Sequence, residues 1–376
     1  MTKRLQNIKH TTSAALHNAG LKGLFNEGNK QCKILSLRAL RKKPGQNPLV
    51  NAIFHNEIVN PRIDRVYLEL TNNCNLRCEM CTIKKNPEKI GYMSKSLFQS
   101  CVDQLSDIGI RSLLLHGVGE SLLHPDFKNY LKYALNRRDH GGIREVSWSD
   151  NGMLFNQRIS DLVVELGVDE ILFSIDGIGE VNDRIRLGSK YSVIEKNIKY
   201  LLEKRGTATK PRVFLDMVDH GKTEQQKMDV YREWVSVVDG ITLMPSLLPD
   251  NSCENKNEYA QGSRYAKSPE YCAIPFDMMM ISWDGKVSAC CLDWCYKLVL
   301  GNATREKLTQ IWQGSKYQAL RKAALTHAFP KGTLCEKCEF WQLNFETKEV
   351  PILNGNATMK YEYLYKKITK TRKTKK

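Results

Sequence analysis

The 376-residue chain lacks two features that would place it in or across a membrane. It has no uninterrupted apolar run of about eighteen residues, the length that a helix needs to span a bilayer. It also has no N-terminal signal peptide with an apolar core. These absences predict a protein without transmembrane segments that is located in the cytoplasm.

Acidic residues are scarce at both ends of the chain. Residues 1–48 hold ten Lys and Arg against one acid, Glu27, and residues 366–376 hold seven basic residues and no acid. These segments account for the whole net charge of +16, so residues 49–365 are balanced and we expect no sequence-specific nucleic-acid binding. The basic flanks are expected at most to touch an anionic surface. Residues 3–25 are predicted either as a basic interfacial or presequence-type helix, or as a helix packed on the body or a frayed terminus.

Disulfide-rich secreted scaffolds are much shorter than this chain, so its twelve cysteines point to metal binding in a reducing compartment. Three of them, Cys74, Cys78 and Cys81, form a Cys-x3-Cys-x2-Cys triplet directly after the apolar stretch Val66–Leu70. Four thiolates hold a cubane 4Fe–4S cluster or a zinc ion, whereas three leave one iron free to bind a reactive ligand. The triplet therefore predicts an open 4Fe–4S cluster, with zinc as the alternative.

From Arg65 onward, apolar β-branched runs alternate with amphipathic helical stretches. The predicted strands are Val66–Thr71, Ser112–His116, Glu145–Ser149, Ile171–Asp176, Val213–Val218 and Ile241–Met244. The predicted helices are Lys95–Ile108, Phe127–Asn136, Gln157–Leu166, Ser192–Glu203 and Thr223–Val237. This alternation predicts βαβ units and a parallel sheet, in which reactive residues collect at the carboxyl ends of the strands.

The cysteine triplet after the first strand, together with this alternation, resembles the radical S-adenosylmethionine (SAM) superfamily. The resemblance implies an α/β fold with an open, partial (β/α)6 barrel. It implies that SAM chelates the free iron of the 4Fe–4S cluster through its amino and carboxylate groups. One electron then cleaves SAM to methionine and a 5′-deoxyadenosyl radical, which removes a hydrogen atom from the substrate. An electron donor such as flavodoxin or ferredoxin is therefore an expected partner.

The resemblance also assigns SAM contacts to the loops after the first four strands. His116–Ser121 is similar to the glycine-glycine-glutamate motif of the family, in which glycines allow close backbone approach. Glu120 is expected to accept a hydrogen bond from the SAM amine, and Arg186, with Arg184 as the competing choice, to bind its carboxylate. The predicted SAM-binding residues are Met80, Gly117, Gly119, Glu120, Ser149, Asn151, Ser174, Asp176 and Arg186.

A second group of cysteines lies near the C-terminus. The segment Ile281–Cys291 reads as a β-hairpin with an Asp-Gly turn, and a helix containing Leu308–Trp312 follows. This layout resembles the SPASM/twitch auxiliary-cluster domain of radical SAM enzymes, which implies a second 4Fe–4S cluster. Its expected ligands are Cys272, Cys290, Cys335 and Cys338.

Some features of this second group remain open. No cysteine follows Cys338, so one auxiliary cluster is expected rather than two. Cys291 adjoins Cys290, and strand alternation would point the two thiols to opposite sides, so only one of them is expected to bind iron. Cys295 is a spare candidate, and a zinc ribbon is the alternative for the whole set.

The predicted organisation comprises five segments. They are a basic N-terminal extension (residues 1–60), a radical SAM partial barrel (61–250), a linker (251–268), a SPASM/twitch domain (269–345) and a basic C-terminal tail (346–376).

The auxiliary cluster predicts a reaction that removes a second electron from the substrate. The first hypothesis is oxidation of a sugar-like or cyclitol alcohol to a ketone. The alternatives are a peptide- or protein-modifying maturase and, less favoured, a non-catalytic iron–sulfur protein. The sequence assigns no general base, since a lone histidine such as His116 is as often structural as catalytic.

Overall fold

The computed structural model divides the chain into two units, Met1–Arg62 and Ile63–Lys376. The predicted N-terminal extension 1–60 and the predicted linker 251–268 lie outside the residues that the structure describes. The described residues are 61–81, 89–219, 224–245, 272–326, 328–336 and 338, with three short strands near the C-terminus.

Six parallel strands form the centre of the sheet and confirm the predicted α/β fold. Each strand pairs with the next one along the chain, so the spatial order follows the sequence order. The strands are β1 Arg65–Leu68, β2 Ser112–Leu114, β3 Glu145–Asp150, β4 Glu170–Ser174, β5 Arg212–Asp219 and β6 Gly240–Pro245. All six coincide with predicted strands to within three residues at each end.

Five of the six connecting helices lie in the segments predicted as helices, and the short helix Glu180–Ile185 was not predicted. They are α1 Lys95–Ile108, α2 Phe127–Asp139, α3 Gln157–Glu165, α4 Glu180–Ile185, α5 Tyr191–Arg205 and α6 Glu224–Trp234. Helix α1 begins after Ser94, whose hydroxyl accepts from the Leu97 N–H, and ends at Gly109, which has φ 78°. Among the described residues, no helix is both long and apolar enough to cross a bilayer.

The two faces of the parallel sheet differ in polarity. Residues that face the helices are large, apolar and fully buried, for example Trp148, Phe173 and Leu215. Because side chains alternate along a strand, the neighbours of these residues lie on the opposite, inner face. There Ser174 of β4, Asp216 of β5 and Thr242 of β6 are paired in register and form a row across three strands. We call these three residues the polar row.

The C-terminal module extends the same sheet. Its elements are β7 Met278–Ile281, β8 Lys286–Ser288, β9 Gly301–Asn302, α7 Leu308–Gln313 and α8 Ser315–Thr326. Strands β7 and β8 are antiparallel and turn at Gly285, which has φ 86°, so the predicted hairpin is confirmed. Strand β7 also pairs in parallel with β1, and the side chains of Arg65 and Asp277 form an ion pair of 3.0 Å. The module is therefore continuous with the barrel sheet.

Three further strands lie within the segment predicted as a basic tail. They are β10 Val350–Pro351, β11 Ala357–Glu362 and β12 Tyr365–Lys370. Strand β12 pairs antiparallel with β6 at the other end of the sheet. Part of this basic segment therefore adopts regular structure.

Candidate active site

The cysteine triplet lies in the loop that leaves the carboxyl end of β1, which we call the cluster loop (residues 71–81). The loop begins with a tight turn in which the Asn73 N–H donates to the Thr71 hydroxyl at 3.1 Å. Cys74 and Cys81 are half-buried and Cys78 is buried, and each of the other two thiols interacts electrostatically with Cys74. Burial raises the pKa of Cys74 to about 12. Binding of a cluster therefore requires the release of its proton.

Main-chain hydrogen bonds clamp the cluster loop on both sides. The Glu120 N–H, in the loop after β2, donates to the Asn73 carbonyl at 2.7 Å. The Arg77 N–H donates to the Leu187 carbonyl at 2.8 Å, on the segment after α4. A side-chain bond of 2.8 Å from Asn151 to Asn75 adds the loop after β3. The loops that follow four strand ends thus meet around the three thiols.

The glycines of the loop after β2 are required by this close contact. A Cβ atom on Gly119 would lie 2.5 Å from the Asn73 carbonyl oxygen and closer still to that of Thr71. A Cβ atom on Gly117 would lie 2.5 Å from the Cβ of Glu69. Both positions therefore need glycine for packing inside the protein. Their predicted contact with the SAM amine stays a prediction.

Glu120 forms a buried carboxyl pair with Asp150. Its two carboxyl oxygens accept from the N–H groups of Leu122 at 3.3 Å and Asn151 at 3.0 Å. Burial, and then the charge of Asp150, raises the pKa of Glu120 well above its usual range. Burial also raises the pKa of Asp150 to about 6. A cation placed beside this pair would favour ionisation of Glu120, which agrees with its predicted role toward the SAM amine.

Asp176 and Arg186 are brought together by the structure. The Arg186 guanidinium lies 2.8 Å from the Asp176 carboxylate in an almost fully buried ion pair. Asp176 also accepts from the Val218 N–H at 2.8 Å, so part of its hydrogen-bonding capacity serves the protein interior. Arg186 interacts electrostatically with Cys78 and Cys81, and its Nε–H is buried without a hydrogen-bond partner. This orphaned donor beside the thiols fits the predicted site for an anionic ligand group.

The remaining predicted contacts line the same strand ends. Met80 is half-buried on the cluster loop, and Ser174 is half-buried in the polar row. Ser149 donates through its backbone N–H to Nδ1 of His116 at 3.1 Å. Burial lowers the pKa of His116 to about 4, and its ring packs edge-on against Tyr67, with the centroids 5.1 Å apart. A neutral, engaged imidazole of this kind is a poor proton acceptor near neutral pH.

The second group of cysteines converges on one cavity in the C-terminal module. The other side chains that line the cavity are apolar, and the four cysteines are Cys272, Cys290, Cys335 and Cys338. Burial raises the pKa of Cys272 above its usual range and that of Cys335 to about 12. Four thiols facing an apolar cavity fit a closed cluster, because thiolates are stabilised there only by bound metal.

Cys290 lines this cavity and Cys291 is not among its lining residues. That only one of the two binds iron stays a prediction, and the reason expected for it, strand alternation, is wrong. Strand β8 ends at Ser288, so strand alternation does not reach the two cysteines. Their side chains interact with each other, which raises the pKa of Cys290 and lowers that of Cys291. Cys295 is disulfide-bonded and is therefore not a free thiol.

A small apolar cluster connects this cavity with the barrel. Its buried members are Tyr67, Ile274, Met278, Met280 and Leu292, and Cys272, Cys290 and Cys338 pack against it. Val118, from the loop after β2, packs against the same cluster. Packed side chains therefore join the cavity of the second cysteine group to β1 and to the loop after β2.

Sequence reasoning missed one buried carboxyl at this junction. Glu69, at the end of β1, is 1% exposed and accepts from the Val118 N–H at 2.9 Å. Backbone at Trp283, in the turn between β7 and β8, also bonds to it, and the phenol of Tyr296 lies beside it. Burial raises the pKa of Glu69 to about 7. Its only sequence signal was a charged residue inside an otherwise apolar strand.

Family comparisons agree with this geometry. The radical SAM superfamily model matches residues 68–233, and SPASM, an iron-sulfur cluster-binding domain, matches residues 272–339. The chain belongs to the radical SAM superfamily and carries a SPASM domain. The predicted 4Fe–4S cluster, SAM and auxiliary iron–sulfur cofactor are thereby confirmed, as is the prediction of an enzyme.

Two curated relatives match most of the chain. The tungsten-containing aldehyde ferredoxin oxidoreductase cofactor-modifying protein of Pyrococcus furiosus is 24% identical over 326 residues, which cover 73% of this chain and 88% of the relative. The S-adenosyl-L-methionine-dependent 2-deoxy-scyllo-inosamine dehydrogenase of Niallia circulans is 20% identical over 287 residues, which cover 76% of this chain and 95% of the relative.

Solved structures share the fold. Streptococcus suis SuiB bound to precursor peptide SuiA has a TM-score of 0.60 and 14% identity, and the match covers 89% of this chain and 82% of SuiB. BtrN in complex with AdoMet and 2-DOIA has a TM-score of 0.51 and 18% identity, and the match covers 73% of this chain and 92% of BtrN.

The pKa of Glu69 makes a testable prediction about stability. Its ordinary value near 4.5 rises to about 7 in the folded protein, so the folded state holds the proton over this range and the unfolded state does not. The free energy of unfolding should therefore fall by up to about 3 kcal/mol as the pH rises from about 4.5 to about 7, and then level off.

The Glu69→Gln variant should lose the part of the pH dependence that Glu69 contributes, while the part due to the buried pair of Glu120 and Asp150 remains. Glu203→Gln, which alters an exposed carboxylate on α5, should behave like wild type. Denaturant unfolding of the three proteins across this pH range makes the measurement. Parallel curves for wild type and Glu69→Gln would contradict the assignment.

Proposed function

We propose that this radical SAM enzyme oxidises an alcohol carbon of a sugar-like or cyclitol substrate. The observation that carries the proposal is the polar row on the inner face of the sheet. Ser174, Asp216 and Thr242 present two hydroxyls and one carboxylate at neighbouring positions. Such groups suit a substrate rich in hydroxyls, since each can donate or accept a hydrogen bond.

The cofactors supply the radical, and the chain supplies binding and orientation. When bound, the cluster and SAM provide a 5′-deoxyadenosyl radical that removes a hydrogen atom from the substrate. The unpaired Nε–H of Arg186 would hold the SAM carboxylate, and Glu120 would accept from its amine. The polar row would orient the hydroxyl-bearing carbon. His116 is not assigned as the general base, because burial lowers its pKa to about 4.

The four cysteines of the C-terminal cavity would hold the auxiliary cluster, which would supply the acceptor for a second electron. A substrate radical on an alcohol carbon becomes a ketone when it loses one proton and one electron. The apolar cluster around Tyr67 and Met280 leads from the inner face of the sheet to the cavity of the four cysteines. Similarity to the Niallia circulans dehydrogenase over 95% of its length supports this choice.

A peptide- or protein-modifying maturase is the second candidate. SuiB, whose structure contains its precursor peptide, shares the fold over 89% of this chain. The two candidates differ in substrate. Deuterium incorporation into 5′-deoxyadenosine, measured with deuterated cyclitols and with deuterated peptides, distinguishes them.

The triplet assignment predicts the outcome of a single cysteine replacement. Dithionite-reduced protein should release 5′-deoxyadenosine, and Cys78→Ala should abolish the release because one cluster ligand is lost. Cys101→Ala is the matched control, since Cys101 is a fully buried thiol on α1. Chromatographic quantification of the nucleoside makes the test, and undiminished release from Cys78→Ala would refute the assignment.

Two separate arginine-to-lysine variants test the predicted contact with the SAM carboxylate. Arg186→Lys should weaken SAM binding by about 1.5–3 kcal/mol, because lysine cannot reproduce the guanidinium fork. Arg184→Lys, at an exposed position on α4, should bind SAM like wild type. Calorimetric titration of the reconstituted proteins, with iron content as the folding control, makes the comparison. If Arg186→Lys and Arg184→Lys bind SAM with equal affinity, another residue must bind the SAM carboxylate.

Replacing two auxiliary ligands should separate SAM cleavage from substrate oxidation. In the Cys335→Ala/Cys338→Ala variant we expect about eight irons per chain to fall to about four. Uncoupled release of 5′-deoxyadenosine should persist, because the triplet is intact, while the oxidised product disappears. Zinc bound at these positions in the wild-type protein would defeat the proposal, since zinc accepts no electron.

A further inference from the structure

Exposed apolar side chains are concentrated around the cluster loop. Among the described residues, four large hydrophobic side chains are more than two-fifths exposed, namely Ile90 (48%), Val237 (46%), Leu187 (45%) and Tyr92 (43%). Single exposed apolar residues are ordinary on protein surfaces. Here, however, three of the four adjoin one loop, and Val237 alone lies elsewhere.

Hydrogen bonds hold the three residues next to the cluster loop, through a side chain, a backbone carbonyl or the carbonyl of a neighbouring residue. The Tyr92 hydroxyl accepts from the Asn73 side chain at 3.2 Å. Ile90 precedes Gly91, whose carbonyl accepts from the Thr71 hydroxyl at 2.7 Å. The Leu187 carbonyl accepts from the Arg77 N–H on the other side of the loop. Ile90, Tyr92 and Leu187 therefore frame the loop on two sides, and we call them the rim.

The charges around the rim are mostly positive. We considered described, exposed residues in the cluster loop and within three positions of the rim. Five are basic and one, Glu79, is acidic; the basic residues are Arg77, Lys89, Lys95, Arg184 and Lys190. An apolar centre with a basic surround attracts an acidic partner and then holds it by apolar contact.

We propose that the rim is the docking face for a small acidic one-electron carrier protein. The inference rests on the proposed reductive cleavage of SAM at the cysteine triplet. One electron leaves the carrier and reduces the bound cluster, and no atom is transferred. Cys74 and Cys81 belong to the loop that the rim residues contact and are only half-buried, so a carrier seated here is close to the cluster. Electron-transfer encounters use small interfaces, which a three-residue apolar centre can provide.

Two reductants distinguish a loss of carrier docking from a loss of SAM cleavage. Release of 5′-deoxyadenosine is measured with reduced flavodoxin, a protein donor that must dock, and with dithionite, which need not. The Ile90→Ser/Leu187→Ser variant should lose about tenfold in the flavodoxin-driven rate, as expected when the apolar centre of an interface is removed. Its dithionite-driven rate should stay within about twofold of wild type. Val237→Ser, the matched exposed hydrophobic, should behave like wild type in both assays.

A charge-reversed variant tests the basic surround. Lys89→Glu/Lys190→Glu should lower the flavodoxin-driven rate several-fold at low ionic strength, and added salt should narrow its difference from wild type. Equal flavodoxin-driven rates in wild type and the rim variant would overturn the proposal. So would an equal loss with both reductants, or a change in oligomeric state on rim substitution, which would assign the face to a second copy of the chain. Absence of 5′-deoxyadenosine from wild type with dithionite would instead refute the proposed function.

Discussion

Direct contact between the cluster loop and the loop after β2 sets the geometry on which the rest of the site depends. Gly119 lies against the carbonyls of Thr71 and Asn73 with no room for a side chain between them. The neighbouring Glu120 N–H donates to Asn73, and this bond fixes where the Glu120 carboxyl enters the interior. One backbone contact therefore relates the thiol-bearing loop to the buried carboxyl pair of Glu120 and Asp150.

Local signals explain why much of the fold was predictable from the sequence. Helix α1 has the predicted bounds, since the Ser94 cap and the left-handed Gly109 mark its two ends. The six strands were recognised by apolar β-branched runs, and each site motif lies after the strand to which it was assigned. Contacts that join distant segments were not predictable. The pairing of β7 with β1 spans more than two hundred residues, and no local pattern encodes its register.

Inside the site, too, individual residues could be predicted from the sequence, whereas contacts between distant segments could not. Asp176 and Arg186 were both recognised as candidate SAM contacts, but their ion pair with each other depends on how α4 packs beside β4. Glu69 and Asp216 were not singled out, because a single charged residue in a strand does not reveal which face it occupies. Cys290 lines the cavity of the second cysteine group, but strand alternation does not explain why Cys291 is not among the lining residues, since β8 ends at Ser288 before reaching either cysteine.

Burial determines how charge is distributed around the cluster loop. Glu69, Glu120 and Asp150 are acids by composition, yet burial raises the pKa of each, so this part of the interior carries less negative charge than the sequence suggests. The Arg186 guanidinium is already balanced by Asp176 and still has one unpaired donor. A zwitterionic ligand would bring an amine, beside which Glu120 would ionise, and a carboxylate, which could accept from the unpaired Nε–H of Arg186. The predicted contacts of Glu120 and Arg186 with SAM use these two features.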